Sequence, residues 1–370
     1  MGSLRTFYQV DTVITMTKTN TTSVGSPYIP SRRKDKIKFI SFGLGPVGLL
    51  ILQAAVARSD FELVGAVDVN PSIVGQDIGR LIGNNREIGI PVSPDLLPLI
   101  DGIISQNQVG LVFHATQSFL DQTTPQFIDL LSCGLNVVST CETLAYPYRR
   151  YPNLADQLDQ VAKSNRCTLV GAGINPGFLL DLLPIFLTTA CQEVTGIQAV
   201  RNIDAAKRRE PFQRKVGLNL SPENFTQQIE TGQLSAHVGL AESVYLIGDT
   251  LGMNLDQVVE EHRPVIADCA YSSAEVEIEA GRVRGVNSFG RGLRNQQEVV
   301  RIDFNAVVSS QEYEEIKIEG YPPVIWRNEL GTAGDSATAA VILNMGKRVV
   351  AAQPGLLTAV DLSLPHFTRT

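Results

Sequence analysis

Gly43-Leu44-Gly45-Pro46-Val47-Gly48 is a GxGxxG run that follows the apolar stretch Lys36–Phe42 and opens a helix-like segment, Pro46–Ser59. In that context each glycine has a physical reason. The first allows a tight turn, the second lets a pyrophosphate approach the backbone, and the third lets helix and strand pack closely. The helix start adds free N–H groups and the positive end of a dipole, which together suit a phosphate. Asp68 stands in the next apolar run, Glu62–Val69, twenty residues after Gly48. An acid at that place accepts hydrogen bonds from adenosine ribose hydroxyls. It leans towards NAD over NADP, because Val69-Asn70-Pro71 offers no arginine for a 2′-phosphate. The other reading of Asp68 is a plain turn residue at a strand end. The run as a whole predicts a bound nicotinamide dinucleotide.

Further chemistry collects where other short apolar runs end. Ala115-Thr116-Gln117-Ser118 closes the run 110–116, and Thr140 closes Asn136–Thr140. Both lie at the carboxyl edge where ligands of a parallel sheet gather, and Thr116 and Ser118 equally suit helix caps. Glu142 follows Thr140 and has two readings: an acid–base carboxylate at that edge, or the last member of a Ser139-x-x-Glu142 capping box. Asn175 and Phe178 stand where the chain leaves the sheet, a place for contact with nicotinamide or substrate, although Pro176-Gly177 also reads as a simple helix start. Tyr146 either lines the pocket or packs beneath a loop. Arg201 either grips a substrate carboxylate in two-pronged fashion or pairs in solvent. Lys207-Arg208-Arg209 reads as a solvated loop, one that brings positive charge to a cofactor phosphate only if the fold places it there.

The elements that must position these residues have a regular rhythm. Apolar runs at 36–42, 62–69, 110–116, 136–140 and 168–173 alternate with helix-like stretches at 46–59, 117–133 and 152–165. That alternation predicts an α/β fold, a Rossmann doubly wound parallel sheet with right-handed crossovers over residues 36–175. Beyond Pro176 the rhythm changes. A helical run at 177–190, a strand at 194–202, a charged loop at 205–215 and a helix near 240–251 precede strand-like alternation at 274–308 and 312–319. This predicts a second α+β mixed-sheet domain over 176–330. Residues 331–370 read as an Ala-rich helical segment and a tail, and the polar Ser/Thr-rich residues 1–35 as a flexible arm.

Composition narrows the function classes. The 370 residues carry 31 Lys+Arg against 38 Asp+Glu, a net charge of −7 without a basic stripe, which argues against nucleic acid. No apolar run nears the roughly 20 residues of a membrane span, and the start lacks a secretory signal pattern. The five cysteines show no CxxC spacing, so we expect reduced thiols, no metal site and a cytoplasmic protein.

Four motifs in order carry a family resemblance: Cys141-Glu142-Thr143-Leu144-Ala145-Tyr146-Pro147, Gly171-Ala172-Gly173-Ile174-Asn175-Pro176-Gly177-Phe178, His237-Val238-Gly239-Leu240-Ala241-Glu242-Ser243, and Gly334-Asp335-Ser336-Ala337-Thr338-Ala339-Ala340 with Pro354-Gly355-Leu356. The chain resembles 2,4-diaminopentanoate dehydrogenase and the related native amine dehydrogenases over about residues 36–365. More widely it is similar to dihydrodipicolinate reductase, but it lacks that enzyme's paired histidines and its Lys-x-Asp-x-Pro-Ser-Gly-Thr stretch. The resemblance implies reversible, NAD(P)-dependent reductive amination of a small ketone, aldehyde or amino-keto acid with ammonia. It implies Glu142 as the catalytic residue and His237 at the border of the substrate pocket, although a lone histidine also reads as a structural hydrogen-bonding residue. It also implies a substrate and dimerisation role for 176–330 with a homodimer, and a C-terminal helix and tail, 331–370, returning to the first domain. Diaminopentanoate-type members often carry a second acid beside that glutamate, where this chain has Thr143. The alternatives keep the fold: an ammonia-independent oxidoreductase, or a non-catalytic nucleotide sensor.

Overall fold

The computed structural model describes residues 36–368, except 85, 105–109 and 274–275; the expected arm, 1–35, lies outside the described residues. In the first half, strands β1 (Ile37–Phe42), β2 (Phe61–Val67), β3 (Val92–Ser93), β4 (Leu111–His114), β5 (Asn136–Ser139) and β6 (Thr168–Gly171) alternate with helices. These helices are α1 (Pro46–Val56), α2 (Ile78–Leu81), α3 (Leu96–Ile104), α4 (Leu120–Ser132) and α5 (Pro152–Ser164). The sheet runs β6-β5-β4-β1-β2-β3, every pair parallel.

Its central strands are apolar on both faces because helices cover both. Phe39 and Phe113 face α1, whereas Ile40 and Val112 face Leu120 and Phe127 of α4. In register, Val67, Phe42, His114, Ser139 and Gly171 form one row across the sheet. The residues that follow them, Asp68, Gly43, Ala115, Thr140 and Ala172, therefore share one edge. The strand order reverses between β1 and β4, and a crevice opens beyond the carboxyl ends at such a point.

The chain then adds α6 (Leu182–Leu187), β7 (Glu193–Asp204), α7 (Glu210–Lys215), α8 (Pro222–Glu230), α9 (Leu240–Thr250) and β8 (Gln257–Ile266). A small pair, β9 (Tyr271–Ser272) and β10 (Glu277–Ile278), leads to β11 (Val283–Arg294), β12 (Gln297–Val307), β13 (Tyr313–Tyr321) and β14 (Val324–Asn328). The second sheet runs β14-β13-β7-β12-β11-β8 and is mixed: β7 and β12 are parallel, the other pairs antiparallel. Its inner face, including Ile197, Ala199 and Ile302, packs against Leu240, Val244 and Ile247 of α9. The last helix, α10 (Gly334–Val349), returns to the first sheet, where Ile342 and Leu343 share a core with Leu52, and β15 (Gly355–Leu357) adds a parallel strand beside β6.

Three sequence expectations change. The helix expected from Gly177 starts only at Leu182; Gly177 has φ +115°, so Pro176-Gly177 does not start it. Buried Asp181 holds this turn by accepting from Gly177 N, Leu182 N and Ser243 Oγ, and its burial raises the carboxyl pKa. The expected loop 205–215 folds as a 3-10 turn, Ala205–Lys207, followed by α7. Strand β8 escaped the pattern because it is an edge strand. Its charges and Pro264 are tolerated where one side lacks a ladder partner.

Candidate active site

One cleft of about 590 Å³ lies beyond the carboxyl edge of the first sheet, closed on its far side by β7, α7, the segment before α9 and the start of α10. The glycine loop forms its floor. Gly45 is the N-cap of α1, with no side-chain cap, so the first amides of the helix are unclaimed by the side chain that usually takes them. A Cβ at Gly48 would sit 2.0 Å from Gly43 O, whereas a Cβ at Gly45 would meet nothing within 4 Å. The protein's packing thus demands glycine at Gly48 and leaves Gly45 open, which is the cradle a phosphate would fill. Leu44 is buried in the core and its N–H donates to Asp68 Oδ2 at 2.6 Å, while Asn70 N–H donates to Oδ1 at 2.8 Å. Asp68 therefore buttresses the loop itself and keeps further lone pairs for a ribose.

Under the cleft edge lies a fully buried histidine. His114 Nδ1 is 2.8 Å from Ser139 Oγ, and Nε2 is 2.8 Å from Gln126 Oε1, which also accepts from Thr116 Oγ1 at 2.8 Å. A neutral ring protonated on Nε2 satisfies every member, with Ser139 donating to Nδ1 and accepting from Cys141 N. Burial lowers the His114 pKa to about 4. Thr116 is tied to this network, and Ser118 offers its carbonyl to Thr143 N; the N-cap of α4 is Phe119, so neither caps that helix.

Glu142 opens a 3-10 turn directly after β5. The capping-box reading fails geometrically: Ser139 is engaged by His114 and Cys141, and no side chain caps the turn. The carboxylate instead lines the cleft, where Lys215 Nζ donates to Oε1 at 3.1 Å. Thr143 is buried, its hydroxyl accepting from Leu120 N and donating to Ser118 O. Its side chain serves the start of α4 and lines no part of the cleft.

From the second sheet, His237 stacks on Phe304 at 4.0 Å, and its buried Nε2 has no partner. Burial first, then the charges of Lys215, Arg201 and His262, hold its pKa well below the ordinary value, so the ring is neutral. Arg201 is buried, and its burial lowers the pKa to about 10. Its Nη2 donates to Thr332 O at 2.7 Å, and Nη1 donates to Asn175 with the amide turned to accept. Nε lies 3.3 Å from Glu314 Oε1, an ion pair by proximity rather than an aligned hydrogen bond. The solvent-pairing reading of Arg201 is thus corrected: it is a buried tie between the second sheet and the exit from the first.

Most of the expected residues do come together. Gly45, Pro46, Val47, Ala115, Thr116, Gln117, Ser118, Thr140, Glu142, Asn175, Arg201 and His237 line the cleft. Gly43, Leu44, Gly48 and Asp68 stand behind its floor. Two expected residues stand elsewhere. Tyr146 donates from Oη to Asp249 at 2.5 Å, beside the Arg149–Asp249 ion pair, and Phe178 packs into the core of the first sheet. Lys207, Arg208 and Arg209, expected as a solvated loop, line the cleft as well, with Arg208 paired to Glu312 and Arg209 to Asp335 of α10. Sequence reasoning gave no site role to Lys215 or to Asp335, whose proximity to the site exists only in three dimensions. Among the described residues no cluster of His, Cys, Asp or Glu is arranged to hold a metal, and no helix is long and apolar enough to cross a membrane.

A parallel sheet with this glycine loop, a second mixed sheet and one cleft between them define a nicotinamide-dinucleotide dehydrogenase class. Comparisons agree. The family model described as 2,4-diaminopentanoate dehydrogenase C-terminal domain matches residues 178–369, more than half of the chain, and the chain belongs to that family. A 2,4-diaminopentanoate dehydrogenase from Acetoanaerobium sticklandii is 27% identical over 343 residues, covering 90% of this chain and 95% of the relative. An amine dehydrogenase from Streptomyces virginiae is 21% identical over 279 residues, 74% of this chain and 72% of its own. The solved structure of an amine dehydrogenase from Mycobacterium smegmatis superposes with a TM-score of 0.79 at 21% identity, covering 90% of this chain and 98% of that one, and shows the same fold.

Proposed function

We propose that this chain is an NAD(P)-dependent amine dehydrogenase, catalysing reversible reductive amination of a small ketone, aldehyde or amino-keto acid with ammonia. The observation that carries the reading is the position of Glu142. Its carboxylate stands in the same cleft as the open Gly45 cradle, at the carboxyl edge of the sheet. The α1 amides and the space at Gly45 suit the pyrophosphate, Asp68 the ribose, and Thr116, Ser118, Thr140 and Asn175 the nicotinamide end. When bound, the cofactor supplies or takes the hydride.

In this reading Glu142 accepts the proton that ammonia loses as it adds to the carbonyl carbon. It returns a proton to the departing hydroxyl, which leaves as water. Its negative charge then stabilises the cationic iminium that receives the hydride. The neutral Nε2 of His237 offers a hydrogen bond to the substrate from the second sheet. Asp68 favours NAD. The five thiols, all unbridged, suit the reducing cytoplasm. The division into domains at 36–175, 176–330 and 331–370 and pairing of second sheets into a homodimer complete the proposal.

The test is oxidation of NADH and NADPH with a panel of small carbonyls, with and without concentrated ammonium at alkaline pH. Oxidation that requires ammonium supports the reading, and oxidation without it indicates a plain oxidoreductase. Glu142→Gln should lose at least about 100-fold in turnover while still binding cofactor. Turnover at the wild-type level would remove Glu142 from the chemistry.

A further inference from the structure

Three of the five cationic side chains of the cleft are paired away from the reaction centre, and a fourth, Lys207, is exposed. Arg201 pairs with Glu314, Arg208 with Glu312, Arg209 with Asp335, and Lys207 lies 3.9 Å from Asp204. The fifth, Lys215, pairs with Glu142 itself, from the opposite wall. Both side chains are mostly buried, 27% and 20% exposed, so water screens the pair only in part. The support behind Lys215 is hydrogen-bonded and packed. Gln213 Nε2 donates to Ala206 O and Arg208 O, pinning α7 to the turn before it, and Phe212 packs into the second core. Gly217, at φ +73°, then turns the chain where a Cβ would meet Phe225 at 2.7 Å.

On the other wall, a Cβ at Gly239 would come within 3.5 Å of Glu142 Cβ, so Gly239 closes against the root of that side chain. Among the described residues Glu142 Oε2 takes no protein hydrogen bond, while Oε1 is held by Lys215.

We propose that Lys215 is a positioning residue for Glu142: its ammonium anchors Oε1 across the cleft and leaves Oε2 to exchange protons with the reacting nitrogen. This rests on the reading of Glu142 given above. The charged and titratable groups around the pair are Cys141 beside Glu142, His237 before α9, Arg201 on β7, and His262 on β8 with Glu260 close by. Neutral His237, held so in part by Lys215, cannot take over as an anchor for the carboxylate by charge.

Four proteins test this: Lys215→Met, Lys215→Arg, Glu142→Gln and the Lys215→Met/Glu142→Gln double variant, each checked for fold by circular dichroism. NADH and NADPH dissociation constants and kcat at saturating ammonium and carbonyl are measured on all four. A misplaced catalytic group costs on the order of 100-fold. Lys215→Met should therefore lose about 10- to 100-fold in kcat with cofactor affinity within about twofold, and Lys215→Arg should recover most of it. Added to Glu142→Gln, Lys215→Met should change kcat less than about twofold, because the two act as one unit. Wild-type kcat in Lys215→Met, no recovery in Lys215→Arg, or a full additional loss in the double variant each overturns the inference while leaving Glu142 in place. If Lys215→Met misfolds, Lys215→Gln is read by the same criteria. Wild-type kcat in Glu142→Gln instead overturns the parent reading.

Discussion

His114 offers a prediction whose size can be worked from the structure. The ring is fully buried at the carboxyl end of β4 and holds one proton between Ser139 and Gln126. Its pKa in the fold is about 4, against 6.5 for an unburied histidine. Above pH 6.5 both folded and unfolded states are neutral at this site, and it contributes no pH dependence. Between about 4 and 6.5 the unfolded chain binds a proton that the folded chain refuses, so stability falls as pH falls. At 1.36 kcal/mol per unit, the window is worth about 3 kcal/mol by pH 4. Comparison with His114→Gln isolates this contribution from other groups. Urea unfolding of both proteins at pH 7, 6, 5 and 4 should show the wild type's advantage at pH 7 shrinking by about 3 kcal/mol at pH 4. A gap that stays constant across that range would refute the neutral-ring network. Because Thr116 of the cleft hangs on the same network, cofactor affinity should weaken in His114→Gln as well.

Three further outcomes follow from the site's geometry. Gly45→Ala should fold with an unchanged Tm and bind NADH at least about tenfold more weakly, whereas Gly48→Ala, whose Cβ would sit 2.0 Å from Gly43 O, should lose stability as well as affinity; calorimetry and fluorescence titration separate the two. Arg201→Met should cost about 3 kcal/mol in denaturant unfolding by leaving buried Glu314 without its cation, and Glu314→Gln in the same protein should restore part of it. Tyr146→Phe should keep kcat within about twofold, since its hydroxyl binds Asp249 and not the cleft; a large loss of kcat would return Tyr146 to the site.

The legible part of this protein was local. The glycine loop, the parallel strands and the residues that end them could be read because each depends on neighbours in sequence. A β-αβ rhythm places strand ends at one edge, and Gly43, Ala115, Thr140 and Glu142 follow from that arithmetic alone. Local pattern also misled. Ser139-x-x-Glu142 has capping-box spacing, yet His114, 25 residues before Ser139, already holds the serine. The cluster Lys207-Arg208-Arg209 looked solvated, and 205–215 a loop, because polarity alone does not say which side of a segment faces a cleft.

The sequence by itself thus determined the dinucleotide cradle, the order of the first sheet's elements and the family motifs, because short-range sterics and hydrophobic period specify them. Only the tertiary structure decided how Glu142 is held. Lys215 stands 73 residues away in the chain and 3.1 Å away in space, on a helix that local periodicity did not reveal. The same holds for Arg201, whose partners Asn175, Glu314 and Thr332 come from three separate segments. Charge, burial and distance between remote segments set these roles, and they exist only once both sheets have packed around one cleft.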